Sequence, residues 1–84
     1  MRTYFFHLEM CGVSYPDEEG RRLSDPEAAR QMAVLDAREL LSGEVRAGRL
    51  CLDCLINVAD ETGEVLLSVP FHETVMLIGR LKYA

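Results

Sequence analysis

Polar and apolar positions alternate along residues 3–9, Thr-Tyr-Phe-Phe-His-Leu-Glu, with Tyr4, Phe6 and Leu8 on one face and Phe5 and His7 on the other. A period of two with aromatic enrichment predicts a β-strand. Met10-Cys11-Gly12 then reads as a tight turn and Val13-Ser14-Tyr15 as a short return strand. Residues 16–20 carry Asp17, Glu18 and Glu19 and close on Gly20, the make-up of a solvated loop whose glycine can take a positive φ.

The period changes to that of a helix at Ser24-Asp25-Pro26. A residue before proline is pushed out of the α region, so the Asp25 carboxylate is free to cap. Pro26 occupies the first helical position, where its missing N–H costs nothing. Ala29, Met32, Ala33, Ala37, Leu40 and Leu41 then recur at three- and four-residue spacing as one shallow apolar stripe. Arg30, Asp36, Arg38 and Glu39 fall mostly on the solvent side. The helix is predicted over residues 26–47. Ser42-Gly43 weakens the pattern, which makes Leu41 an earlier candidate end, and Gly48 is the other stop signal.

Two strand-like runs follow. Leu52, Cys54, Ile56 and Val58 share one face of residues 52–59, and Val65, Leu67, Val69 and Phe71 share one face of residues 64–71. Asp60-Glu61-Thr62-Gly63 between them is a turn with glycine where a left-handed residue is wanted. Pro70 has no N–H for a ladder and belongs at a strand end or a sheet edge. Val75-Met76-Leu77-Ile78 is too short to separate a strand from a buried helical turn, and residues 80–84 read as a fraying end. The expected fold is α+β: an antiparallel sheet of about four strands in the order ββαββ, with one long helix on one face.

At 84 residues the chain forms one domain over 1–84, with a single modest core and little room for an enclosed substrate cavity. Size therefore argues against an enzyme. An apolar fraction of 49% with 27% charged residues belongs to an ordinary globular domain and excludes a disordered chain. The net charge of −5 disfavours nucleic acid and anionic membrane, both of which demand a positive field. Residues 1–8 are too short and polar-ended for an export signal. An odd cysteine count, three, fits a reducing compartment, so a cytoplasmic location is expected.

Candidate chemistry is sparse. Cys51-x-x-Cys54 invites a zinc or redox reading, but residues three apart on a strand point to opposite faces, so the pair needs a bulge or turn to share an ion. On the strand reading, Cys54 is a small core hydrophobe, and no metal, cofactor or catalytic residue is assigned. His7 reads as a half-exposed sheet residue. The acidic groups of Asp17-Glu18-Glu19 and Asp60-Glu61 read as solvated turns. What resists a packing explanation is apolar surface. One helix covers one sheet face, and the other then carries Phe5, His7, Leu55 and Leu66. With Val75 and Leu77 of the C-terminal run, these make a candidate interaction surface for a second copy or another protein.

Tyr4-Phe5-Phe6-His7, Asp17-Glu18-Glu19-Gly20, Leu23-x-Asp25, Ala28-Ala29-Arg30, Ala37-Arg38-Glu39-Leu40-Leu41, Val58-x-Asp60-Glu61-x-Gly63 and Leu67-x-Val69-Pro70-Phe71 together resemble one family. It is a group of small uncharacterised bacterial proteins, common in alphaproteobacteria and classed as a domain of unknown function. The resemblance covers residues 3–72, leaves 73–84 as an apolar extension, and implies no activity. From Asp17 to Leu41 the chain is also similar in element order to HicB-type antitoxins, though it has a hairpin after the helix and no DNA-binding segment. That similarity implies binding to a small ribonuclease toxin. The expected function is a non-enzymatic, self-associating interaction module. The alternatives are an antitoxin-like inhibitor and a small metal-dependent hydrolase using the acidic turns and a histidine.

Overall fold

In the computed structural model, which describes residues 1–79, strand β1 (Arg2–Met10) runs through the middle of an antiparallel five-stranded sheet. Two short strands share its outer edge. β2 (Val13–Tyr15) pairs with the far end of β1, Met10 opposite Val13, and β3 (Arg21–Leu23) pairs with the near end, Arg2 opposite Leu23. On the inner side β4 (Leu55–Ala59) pairs with β1, Phe6 opposite Val58, and β5 (Val65–Pro70) pairs with β4 as the opposite edge of the sheet. The α+β class and the helix-on-sheet arrangement are as expected. The fifth strand, β3, is an addition: Arg21-Arg22-Leu23 is too short to show a period, and pairing with β1 alone defines it.

Helix α1 (Pro26–Arg46) begins as the cap predicts: Asp25 is extended and its carboxylate accepts the Ala28 N–H at 2.8 Å. It runs through Ser42-Gly43 without a break. It closes when Gly48 takes φ 82°, the Gly48 N–H bonding to Val45 O and the Arg49 N–H to Glu44 O, both at 2.9 Å. This is the two-bond glycine stop that satisfies the orphan carbonyls of a helix end. Ala29, Ala33, Ala37 and Leu41 are the buried residues of the helix. They lie four apart, so a single row of mostly methyl-sized side chains faces the sheet and lets the two layers approach closely.

The core lies between α1 and the sheet face bearing Tyr4, Phe6, Ile56, Val58 and Val69, with Phe71 closing one end. Phe71 opens a short 3-10 turn (Phe71–Glu73) rather than ending the strand, but its ring is buried as the alternation required. Its N–H donates to Cys54 O at 2.9 Å, extending the β4–β5 register by one bond. β5 carries a bulge, with Val58 opposite Leu67 but Ala59 opposite Val65, which leaves Leu66 as the extra residue.

Two expectations are corrected. The strand predicted from residue 52 starts at Leu55, after a bend at Asp53. Leu52 and Cys54 still pack on the core, so their alternation reflects burial rather than strand pairing. Val75-Met76-Leu77-Ile78 is neither strand nor buried helical turn; it is irregular and exposed. The fraying end read at residues 80–84 lies outside the described residues. Among the described residues, no helix is long and apolar enough to cross a membrane.

Candidate functional site

Two regions carry the residues singled out in the sequence. The first is the sheet face turned away from α1. Phe5 and His7 stand there two apart on β1 with parallel rings, 6.3 Å between centroids. Asn57 lies opposite His7 and Ser68 opposite Asn57, and the Ser68 hydroxyl donates to the Asn57 side-chain oxygen. Leu55 is half-buried beside them, and Leu66 is exposed at the bulge. The face is thus mixed, a polar centre flanked by apolar side chains.

Val75 and Leu77 do not lie in this row. The Arg38 guanidinium donates to Thr74 O at 2.8 Å, so the chain leaves Thr74 on the helix side of the sheet. The candidate surface therefore divides into a sheet patch (Phe5, His7, Leu55, Leu66) and a tail patch (Val75, Leu77). Alternation could find the first patch; the path of the tail depends on one helix-to-backbone bond that no local pattern encodes.

The acidic turns are explained by their own backbones. β2 and β3 leave a gap along β1, and Asp17 fills it: its Oδ2 accepts the Phe6 N–H at 3.1 Å, and its Oδ1 accepts Glu19 N–H at 3.1 Å and Gly20 N–H at 3.2 Å. Burial alone would raise the Asp17 carboxyl. The N–H groups of Phe6, Gly20 and Glu19 outweigh it, and with Arg21 nearby they hold the group below the usual carboxylate value. The Asp17 N–H donates to His7 Nδ1 at 3.0 Å, which gives β1 a second tie to the loop. Gly20, with φ 72°, lies so close that a Cβ there would stand 2.7 Å from Thr3 Cγ2. Asp60 builds the β4–β5 turn in the same manner, accepting from the hydroxyl and N–H of Thr62 and from the Glu64 N–H.

The second region is at the end of the sheet where the β1–β2 turn meets the start of β4. The strand argument against a shared cysteine site fails here, because the bend at Asp53 turns Cys51 back toward Cys54. Their sulfurs lie 3.0 Å apart, and Cys11 Sγ lies 3.5 Å from Cys51 Sγ. Among the described residues, these three form a group whose ligand atoms all fall within 4.8 Å of one another. Cys54 is buried, Cys51 half-buried and Cys11 exposed.

Cys51 sits at the middle of this group. Thiol donation from Cys54 and then Cys11, with the Asp53 backbone N–H, lowers its pKa from the ordinary value. Burial, with the tie to Cys51, pushes the Cys54 thiol up to about 11. The bend and the position of Cys11 are the signals that the sequence pattern concealed. Cys11 meets the pair only because β1 and β4 run antiparallel in a register that places Glu9 opposite Leu55.

No curated protein and no solved structure matches the chain at a significant level. A family description, Domain of unknown function (DUF6894), matches residues 3–72, from the first residues of β1 to the turn that buries Phe71. With the match running through every strand and the helix, the chain belongs to the DUF6894 family.

Proposed function

We propose that this protein is a non-enzymatic interaction module that self-associates through apolar surface its own fold leaves uncovered. The observation that carries this reading is the run Val75-Met76-Leu77-Ile78, in no regular element, with Met76 82% and Ile78 87% exposed. Burying one such side chain fully is worth about 1.5–3 kcal/mol. Ordering an extended tail costs about 1–2 kcal/mol per residue. The tail alone therefore supports only weak association, and the reading requires the Phe5–Leu55–Leu66 patch to contribute area as well. The net charge of −5 favours a protein partner, here a second copy, over nucleic acid or anionic membrane.

Sedimentation velocity across a concentration series, with reductant and chelator present to silence the cysteines, tests the reading. The mass is expected to rise with concentration. Met76→Glu combined with Ile78→Glu should return it to the monomer with unchanged melting, because both side chains lie beyond Thr74, the last buried residue described. A mass that stays monomeric at every concentration overturns the reading.

A further inference from the structure

We propose that Cys11, Cys51 and Cys54 form a three-thiolate site for one soft metal ion of the Zn²⁺ type, with the fourth coordination position open to solvent. Three segments distant in the chain deliver the sulfurs: the β1–β2 turn, the bend before β4, and the residue that leads into β4. A zinc–sulfur bond of about 2.3 Å sets the S···S edge of a tetrahedron at about 3.8 Å. The observed 3.0 and 3.5 Å separations reach that edge by side-chain adjustments of less than 1 Å. Thiolate sulfur selects soft ions over Mg²⁺ or Ca²⁺, and three protein ligands with one exposed side leave a place for water or another donor.

The conformation of Cys11 is an independent observation. Met10 pairs with Val13 across a two-residue loop in which Cys11 has φ 52° and Gly12 has φ 77°. Both central residues of this turn are left-handed, which makes it the primed type that hairpins ordinarily build from Asn-Gly or Asp-Gly. A cysteine there is strained relative to asparagine, and the turn places its sulfur 3.5 Å from Cys51 Sγ. A Cys51–Cys54 disulfide would have no use for this third sulfur; a metal ion does. Charge agrees with the assignment. Three thiolates around a dication leave one net negative charge, and the Arg49 guanidinium acts on both Cys11 and Cys51. Each thiol that becomes a ligand yields its proton to solvent, so uptake of one ion releases up to three protons.

The test uses the whole chain, reduced and kept free of oxygen, titrated with Co²⁺ and then Zn²⁺. One Co²⁺ per chain with thiolate-to-cobalt charge-transfer absorption, displaced by Zn²⁺, is expected. Cys11→Asn separates ligation from structure, because asparagine suits the turn. Its metal-free melting temperature should hold or rise, while its metal affinity falls by at least the about 10- to 100-fold that loss of even an outer partner costs. Absence of charge-transfer absorption from the reduced chain overturns the proposal. So does unchanged affinity in Cys11→Asn, or a Cys51–Cys54 disulfide in a chain that, once reduced, binds neither ion.

Discussion

Replacing Asp17 with alanine removes the group that spans the gap between β2 and β3 on the outer edge of β1. Three N–H donors lose their acceptor, and they are not equal. The Glu19 N–H is exposed and turns to water at little cost, whereas the Phe6 and Gly20 N–H groups are partly buried. A buried donor left without a partner costs about 1–3 kcal/mol, so the change is expected to remove about 2 kcal/mol, a large share of what holds a small domain folded.

Urea denaturation followed by circular dichroism measures this directly. At a slope of about 1 kcal/mol per molar, the midpoint falls by about 2 M. Acidity provides a second reading. Because the folded Asp17 carboxyl titrates below its unfolded value, its contribution is complete above the unfolded pKa and fades as pH falls through the folded one. The gap between wild type and Asp17→Ala should therefore be full near neutrality and narrow in strong acid. A neutral-pH loss below about 0.5 kcal/mol, the scale of an ordinary surface change, refutes the reasoning. A gap that is the same at every pH refutes its electrostatic half.

Other substitutions probe the remaining elements. Asp25→Ala deletes the cap on the Ala28 N–H and should cost about 1 kcal/mol; in a thermal melt that is a drop of about 4–8 °C for a domain this size. Ala33→Leu drives a larger side chain into the helix–sheet core, where Ala33 is fully buried, and should cost about 1–3 kcal/mol by urea titration. Ser42→Leu, at an exposed position of the same helix, should be nearly neutral. Gly20→Ala forces a left-handed alanine and a clash with Thr3 Cγ2, for a loss of about 1–2 kcal/mol from the backbone alone. Adding Thr3→Ser removes the clashing methyl and should recover only that methyl's share of the loss, since Phe5 Cε1 and Tyr4 O stay close; a double-mutant cycle isolates it.

How far these features were readable depends on whether each is set locally. The helix was for the most part, because Asp25-Pro26 fixes its start and the alanine row its buried face within one stretch of chain; its end stayed open between Leu41 and Gly48, and the structure closes it at Gly48. The β4–β5 hairpin was readable for the same reason, with Gly63 at φ 91° in its turn. β3 was hidden because three residues have no periodicity and only β1 makes them a strand. The start of β4 was misplaced because Leu52, Cys54 and Ile56 continue one alternation across a bend. The cysteine group depended on both hidden facts, the bend at Asp53 and the register of β1 on β4. On the sheet face, alternation found Phe5 and Leu55, but not the division between that patch and the tail.

The bulge at Leu66 and the tertiary amide at Pro70 also bear on the free rim of the sheet. A displaced residue near one end of β5 and a missing donor at the other leave only a short flat stretch of free backbone on that rim. Strand-by-strand stacking into fibrils finds little template there.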